Sequence, residues 1–464
     1  MFDWRKKPDH PMNSAEAVAQ QLAELPANDP AKALDEISSW VDSVAEAAGF
    51  KPELRAAVLE ALDEAGQRHH DKLLADYLSS PQLYDFKVQA RWQKIYAFWN
   101  HLLDAYVKAA TELDAPAQKA GAARDALPLL LCRGLRAGAE AAKCRRLNYH
   151  TVENATWERL CRLYALAERA QVTANEVKAY KSEPLPSTPA GEFTRALMLE
   201  FGTPQELAPE HVELAFRITA RVASSYAIAA QPAPGLRFCV DLAQGTPPSD
   251  CARFTPGPGG SPRYFGPGTA LARLDEIIKH NDEHVLPTER RFGRDFSVWD
   301  KMTVLRHLLA QWSEQRPTRR EERVPAEGEL AVLNGFNAIR VVVPQTDTAQ
   351  METIAETMKE RGSLMIAAET LDQAPESWVL KDLSPSGIAA DAPPRPDLWV
   401  KVGKMCAVKP PSSKTWWVGV VRRLDASSRR ALRVGIELLT RRPHAVWLKF
   451  VGEGQTAAAN WETS

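Results

Sequence analysis

Through the first 230 positions apolar residues recur at intervals of three and four, and residues that start or stop helices bracket each run. "DPAKALDEISSWVDSVAEAAGF" offers Asp29 as N-cap and Pro30 as first helical residue, with Gly49 as the stop. "KPELRAAVLEALDEAGQRHHDKLLADYL", "YDFKVQARWQKIYAFWNHLLDAYVKAATEL" and "TVENATWERLCRLYALAERAQV" continue the pattern, the second with an aromatic stripe of the kind that packs into a core. No internal period marks a helical repeat.

From Gln231 to Ala270 the pattern breaks. "GTPPSDCARFTPGPGGSPRYFGPG" is too rich in proline and glycine for a helix or a central strand, so an irregular segment is expected, tied to a short strand near "LRFCVDLA". Helix resumes at "TALARLDEIIKHNDEHVL". Ser297 then opens another, with Asp300 placed to complete a capping box. Beyond Pro325 the period falls from 3.6 to 2. "ELAVLNGFNAIRVVVP", "SWVLKDL", "GIAADA", "LWVKVGKMCAVK", "TWWVGVVRRL", "ALRVGIELL" and "HAVWLKF" read as short strands of a small antiparallel barrel or sandwich. Asp425 to Ser428 form the tip of one hairpin, and "TAQMETIAETMKERG" reads as a helix among the strands.

The fold class is therefore multidomain α+β, an all-helical N-terminal body followed by a β module. The expected divisions are a helical domain at 1–230, an irregular segment at 231–270 and helices leading to the junction at 271–315. The β module follows at 316–455, with a helix inserted near 348–361, and a tail at 456–464.

Composition narrows the function more than the fold. Hydrophobic residues make up 45% of 464, and thirteen tryptophans help fill a core. A formal net charge of −1 gives no bulk attraction for polyanions. Six cysteines lie scattered without CxxC pairing, which suits reduced, buried thiols and neither a disulfide framework nor a zinc knuckle. The N-terminus lacks the apolar stretch of a secretory signal, and no run reaches the ~18 apolar residues of a membrane span. A cytoplasmic protein without membrane insertion is expected.

Local charge is uneven. Between Lys401 and Phe450 the only acidic residues are Asp425 and Glu437, and Arg316, Arg319, Arg320 and Arg323 cluster where helix gives way to strand. An arginine fork meets a phosphate or a guanine edge with two bonds and stacks on bases. The plainer reading is a solvated linker whose arginines pair with Glu321 and Glu322.

"RREER" and "DLSPSG", in that order and at that junction, resemble the two signature motifs of the PilZ domain, a six-stranded antiparallel β-barrel that binds the bacterial messenger cyclic di-GMP. The family's RxxxR is matched by Arg319 and Arg323, and its D/NxSxxG by Asp382, Ser384 and Gly387. The resemblance covers roughly residues 316 to 455 and leaves the helical body aside. It implies that Arg319 and Arg323 grip phosphates and guanine edges, that Asp382 accepts from a guanine and that Ser384 completes the pocket. Gly387 would either take a positive φ or let the backbone approach the ligand. Arg320 would add a phosphate contact. The motifs stand further apart than the family usually places them, and the expected inserted helix fills that interval.

These residues point to a receptor and not an enzyme: no GxSxG elbow, Walker lysine, GGDEF or EAL pattern is present, and no cofactor beyond the ligand is called for. The expected mechanism is a hinge, with the arginine segment after Gln315 mobile until ligand draws it onto the barrel and the helical body passing the change to a protein partner. Two alternatives stand beside it. A barrel without ligand would serve as a protein-interaction module. A basic barrel carrying Trp399, Trp416, Trp417 and Trp447 would offer stacking platforms to nucleic acid. More remotely, His280, Glu283 and His284 follow the HxxEH order of a zinc hydrolase, without a third ligand in view.

Overall fold

The computed structural model of the chain describes residues 9–114, 122–183, 185–282, 292–293, 295–317, 321–345, 374–426, 431–444, 448–451 and 460–463. Two compact units divide it, Met1–Thr318 and Arg319–Ser464.

Among the described residues the first unit holds ten α-helices: α1 Ala15–Ala23, α2 Pro30–Glu46, α3 Pro52–Leu78, α4 Phe86–Leu113, α5 Ala122–Leu147, α6 Asn154–Arg169, α7 Pro189–Phe201, α8 Pro209–Arg221, α9 Ala270–Asp282 and α10 Val298–Trp312. Local rules place their starts. The Asp29 side chain accepts the Lys32 N–H ahead of Pro30, and Ser297 and Asp300 form the expected capping box at α10. Gly49 takes a φ of +85°, which the chain needs to turn after α2. At the centre lies α5, packed against α3, α4, α6, α7 and α8. Its Leu130, Leu131, Leu135 and Ala139 are fully buried, and a charged stripe of Arg133, Arg136, Glu140, Lys143 and Arg146 is largely buried as well.

This body is not all helix. Strands β1 Ala227–Ala229, β2 Phe238–Asp241, β3 Ser249–Asp250 and β4 Pro262–Gly266 form an antiparallel sheet in the order β1-β4-β2-β3, where an irregular segment was expected. The prolines and glycines fall at strand ends and in connections: Pro262 opens β4, and Gly257, Gly259 and Gly260 precede it. The sheet can therefore form around the fully buried Phe238 and Phe265.

The second unit is the expected antiparallel barrel. Its strands are β5 Val324–Pro325, β6 Glu329–Asn334, β7 Glu376–Ser384, β8 Gly387–Ala392, β9 Met405–Lys409, β10 Trp417–Asp425 and β11 Leu432–Thr440. Pairing runs β6-β9-β10-β11-β8-β7 and returns from β7 to β6, so six strands close a ring; β5 adds to β7 beyond the end of β6. Leu330, Val332, Trp378, Leu380, Ile388, Ala390, Val434 and Ile436 are buried at alternate positions and supply the interior.

Three strand expectations change. "GFNAIRVVVP", grouped with β6 as one run, is instead helix α11, Gly335–Gln345. Gly335 breaks the strand at a φ of +77°. Ala338, Ile339, Val342 and Val343 then fall at helical spacing and pack on Leu333, Ala407 and Val418. The "HAVWLKF" run supplies β12 Leu448–Val451, which pairs with β13 Asn460–Thr463 in a separate two-stranded sheet, so the expected tail contains a strand. Leu398 and Val400 are buried but lie outside any strand. The helix expected near 348–361 falls outside the described residues.

Candidate ligand-binding site

Strands β7 and β8 make a two-residue hairpin whose ends are Ser384 and Gly387, with Pro385 and Ser386 as the turn. A proline presets φ for the first turn position but has no N–H, leaving Ser386 with the one amide donor at the tip. "DLSPSG" thus spans the last three residues of β7, the turn and the first residue of β8. The incoming arginine segment runs antiparallel to it, with Val324 opposite Leu383 and Pro325 opposite Asp382.

That pairing brings the two sequence motifs together. Arg323 Nη1 donates to Asp382 Oδ1 at 2.9 Å, and both side chains keep about a quarter of their surface exposed (28% and 25%). Two residues earlier, the Glu321 carboxylate accepts the Ser386 N–H at 2.8 Å. From Glu321 onward the segment contacts the hairpin through Glu321, Arg323, Val324 and Pro325. Arg319 and Arg320 fall outside the described residues. Arg316, in the first unit, donates to the Phe201 carbonyl at 3.2 Å with its guanidinium over the Phe201 and Phe238 rings.

Ser384 and Gly387 serve the turn from beneath. Ser384 is 7% exposed, and its hydroxyl reaches the Gly387 carbonyl at 3.4 Å, a long bond. Its own carbonyl accepts from Arg441 Nη2 at 2.6 Å, and the Arg441 guanidinium lies 4.6 Å from the Trp417 ring centroid. Gly387 is not among the glycines of positive φ, which settles one of its two expected roles against that conformation. The close approach seen at Gly387 is among protein groups. A Cβ there would sit 3.1 Å from the Ile436 carbonyl and 3.9 Å from Arg323 Nη2, so glycine keeps the strands and the arginine together.

Beside the hairpin, one row of residues crosses four strands: Asp382 opposite Ala389, Ala389 opposite Gly435, Gly435 opposite Arg423. Ala389 and Gly435 are small, so the row is a low strip with Asp382 and Arg323 at one end and Arg423 at the other. A bulge between Val421 and Arg423 leaves both Arg422 and Arg423 exposed. Arg422 pairs with Glu437 at 2.5 Å, and Asp391 holds Arg433 and Lys381. The surface offers the exposed guanidinium of Arg423 and the quarter-exposed Asp382 carboxylate, which suits an anionic ligand with hydrogen-bonding rings.

Sequence reasoning missed Arg423, Arg441 and the role of Glu321. Only the strand register carries Arg423 to the motifs. The tryptophans also behave differently from a stacking array. Trp417 is buried, Trp416 packs on the α11 cluster, and Trp399 stacks on Trp378 at 5.9 Å with its N–H on Glu376; Trp447 lies outside the described residues. Helix α9 ends at Asp282, so Glu283 and His284 of the HxxEH run also lie outside them. Among the described residues no cluster of three potential metal ligands occurs, and no helix is long and apolar enough to cross a membrane.

No curated protein matches the chain. Residues 16–233, a stretch that ends well before the barrel, match the family described as the N-terminal domain of the cyclic-di-GMP receptor FimW, and in that stretch the chain is similar to a receptor for this messenger.

Proposed function

We propose that the chain is a cyclic di-GMP receptor that binds its ligand on a PilZ-like barrel, at the hairpin where Arg323 meets Asp382. The ion pair across the two motifs is the observation that carries this reading. Arg319, Arg320 and Arg323 meet phosphates and guanine edges, and Asp382 accepts a guanine N–H with the oxygen that Arg323 leaves free. Ser384 and Gly387 hold the turn at the height the ligand needs. The low strip over Ala389 and Gly435 takes a flat base, and Arg423 closes its far end. Support comes from a second direction as well, because the family match covers residues 16–233 and shares no residue with the motifs. The protein works in the cytoplasm, and its helical body carries the response to a protein partner.

Isothermal titration with cyclic di-GMP tests this, alongside a variant carrying Arg319→Ala and Arg323→Ala. Saturable binding by the intact protein and its loss in the variant is the expected result. Absence of binding by the intact protein would overturn the receptor reading and favour a barrel that serves as a protein-interaction module.

A further inference from the structure

Glu321 sits inside the arginine motif with the wrong charge for an anionic ligand. Its side chain is exposed, yet its carboxylate is committed to the Ser386 N–H at 2.8 Å, the one amide donor at a turn whose other central residue is Pro385. Two residues on, Arg323 grips Asp382 at 2.9 Å. Alternate residues of one extended segment thus hold the hairpin at two points, before the turn and at its tip. The pairing of Val324 and Pro325 with Leu383 and Asp382 continues the same contact.

We propose that Glu321 is a positioning residue, a clasp that seats the arginine segment on the hairpin in the geometry that receives cyclic di-GMP. This rests on the receptor reading above. A clasp made by a carboxylate works against the site's electrostatics, since it repels the phosphates it helps to place. The two effects can be separated chemically. Glu321→Gln removes the charge and keeps an oxygen that accepts the Ser386 N–H; Glu321→Ala removes both. Comparing the two variants cancels the charge and isolates the clasp.

The test is titration of the full chain and both variants with cyclic di-GMP at low and high salt, with hydrogen exchange at the Ser386 amide. Glu321→Ala should bind about fivefold more weakly than Glu321→Gln, the size of one neutral hydrogen bond. That ratio should hold at high salt because neither variant carries the charge. Relative to the intact protein, Glu321→Gln should bind about threefold tighter at low salt, a gain that fades as salt screens the phosphates. The Ser386 amide should exchange about tenfold faster in Glu321→Ala and stay protected in Glu321→Gln. If the variants bind within twofold of each other, or Ser386 exchanges alike in both, the clasp is refuted while binding by the intact protein and its loss in the double arginine variant leave the receptor reading standing. If the intact protein takes up no ligand, the receptor reading fails and the clasp has nothing to position.

Discussion

Glu192 and Glu213 are 2% and 5% exposed, but they stay charged. Burial alone would raise both carboxyls. At Glu192 the Arg136 guanidinium, bound at 2.5 and 2.6 Å, overturns that, and at Glu213 Lys143 and Arg217 do the same; each pKa falls to about 2. Glu213, Lys143 and Arg136 line a cleft of about 690 Å³, and Glu192 pairs with Arg136. A carboxyl whose folded pKa lies below its unfolded value, 4.5 here, contributes stability that is present above pH 4.5 and lost as pH falls toward 2. Each is worth about 3 kcal/mol on that basis. Asp63 has the opposite sign: burial raises its pKa, so ionising it costs stability as pH climbs above 3.8. Urea unfolding of the helical unit across acid pH should show the loss between 4.5 and 2. Glu213→Gln should make the protein about 2–4 kcal/mol less stable at neutral pH, through loss of a buried ionic partner, and should make the acid decline shallower. An unchanged decline in the variant would assign it to other groups.

Helix α11 shows what an element owes to its surroundings. Val341 to Val343 are β-branched and read locally as strand, but Ala338, Ile339, Val342 and Val343 bury one helical face over β6, β9 and β10. Tertiary packing overrides propensity. Ile339→Ala should therefore cost about 2–4 kcal/mol, seen as faster amide exchange in β6 and β9 and no change in α4. Equal loss in both places, or none, would mean that α11 does not seal the barrel. The same contrast separates what was legible in the sequence from what was not. Asp29, Pro30, Ser297 and Asp300 act within one turn of chain, so the helix starts they set could be read directly. The sheet of β1 to β4 depends on pairings across Pro- and Gly-rich connections that leave no periodic trace. So does the β12–β13 pair. At the site, both motifs could be read as residue types, whereas the Arg323–Asp382 pair spans 59 positions and exists only through the β5–β7 register. Arg423 needed three further strand pairings.

For the whole molecule, the consequence lies in how little chain joins the two units. Arg316 is tied to Phe201 in the first unit, and Glu321 is tied to Ser386 in the second. Only Pro317, Thr318, Arg319 and Arg320 lie between those anchors, and two of them are arginines of the proposed site. In the proposed receptor a hinge would act through this short connection, and a ligand that takes hold of Arg319 would take hold of it as well. A ligand shifts a domain equilibrium only by its difference in affinity for the two arrangements, and grip on the connection supplies that difference directly. Small-angle scattering should therefore change on saturation with cyclic di-GMP. A four-residue Gly-Ser insertion between Pro317 and Thr318 uncouples the units without touching a motif residue, since such a linker is a flexible coil. It should leave affinity within about twofold, because the motif residues from Arg319 onward are intact, and should abolish the scattering change. If the intact protein scatters identically with and without saturating ligand, the hinge is wrong, and the barrel signals through its own surface.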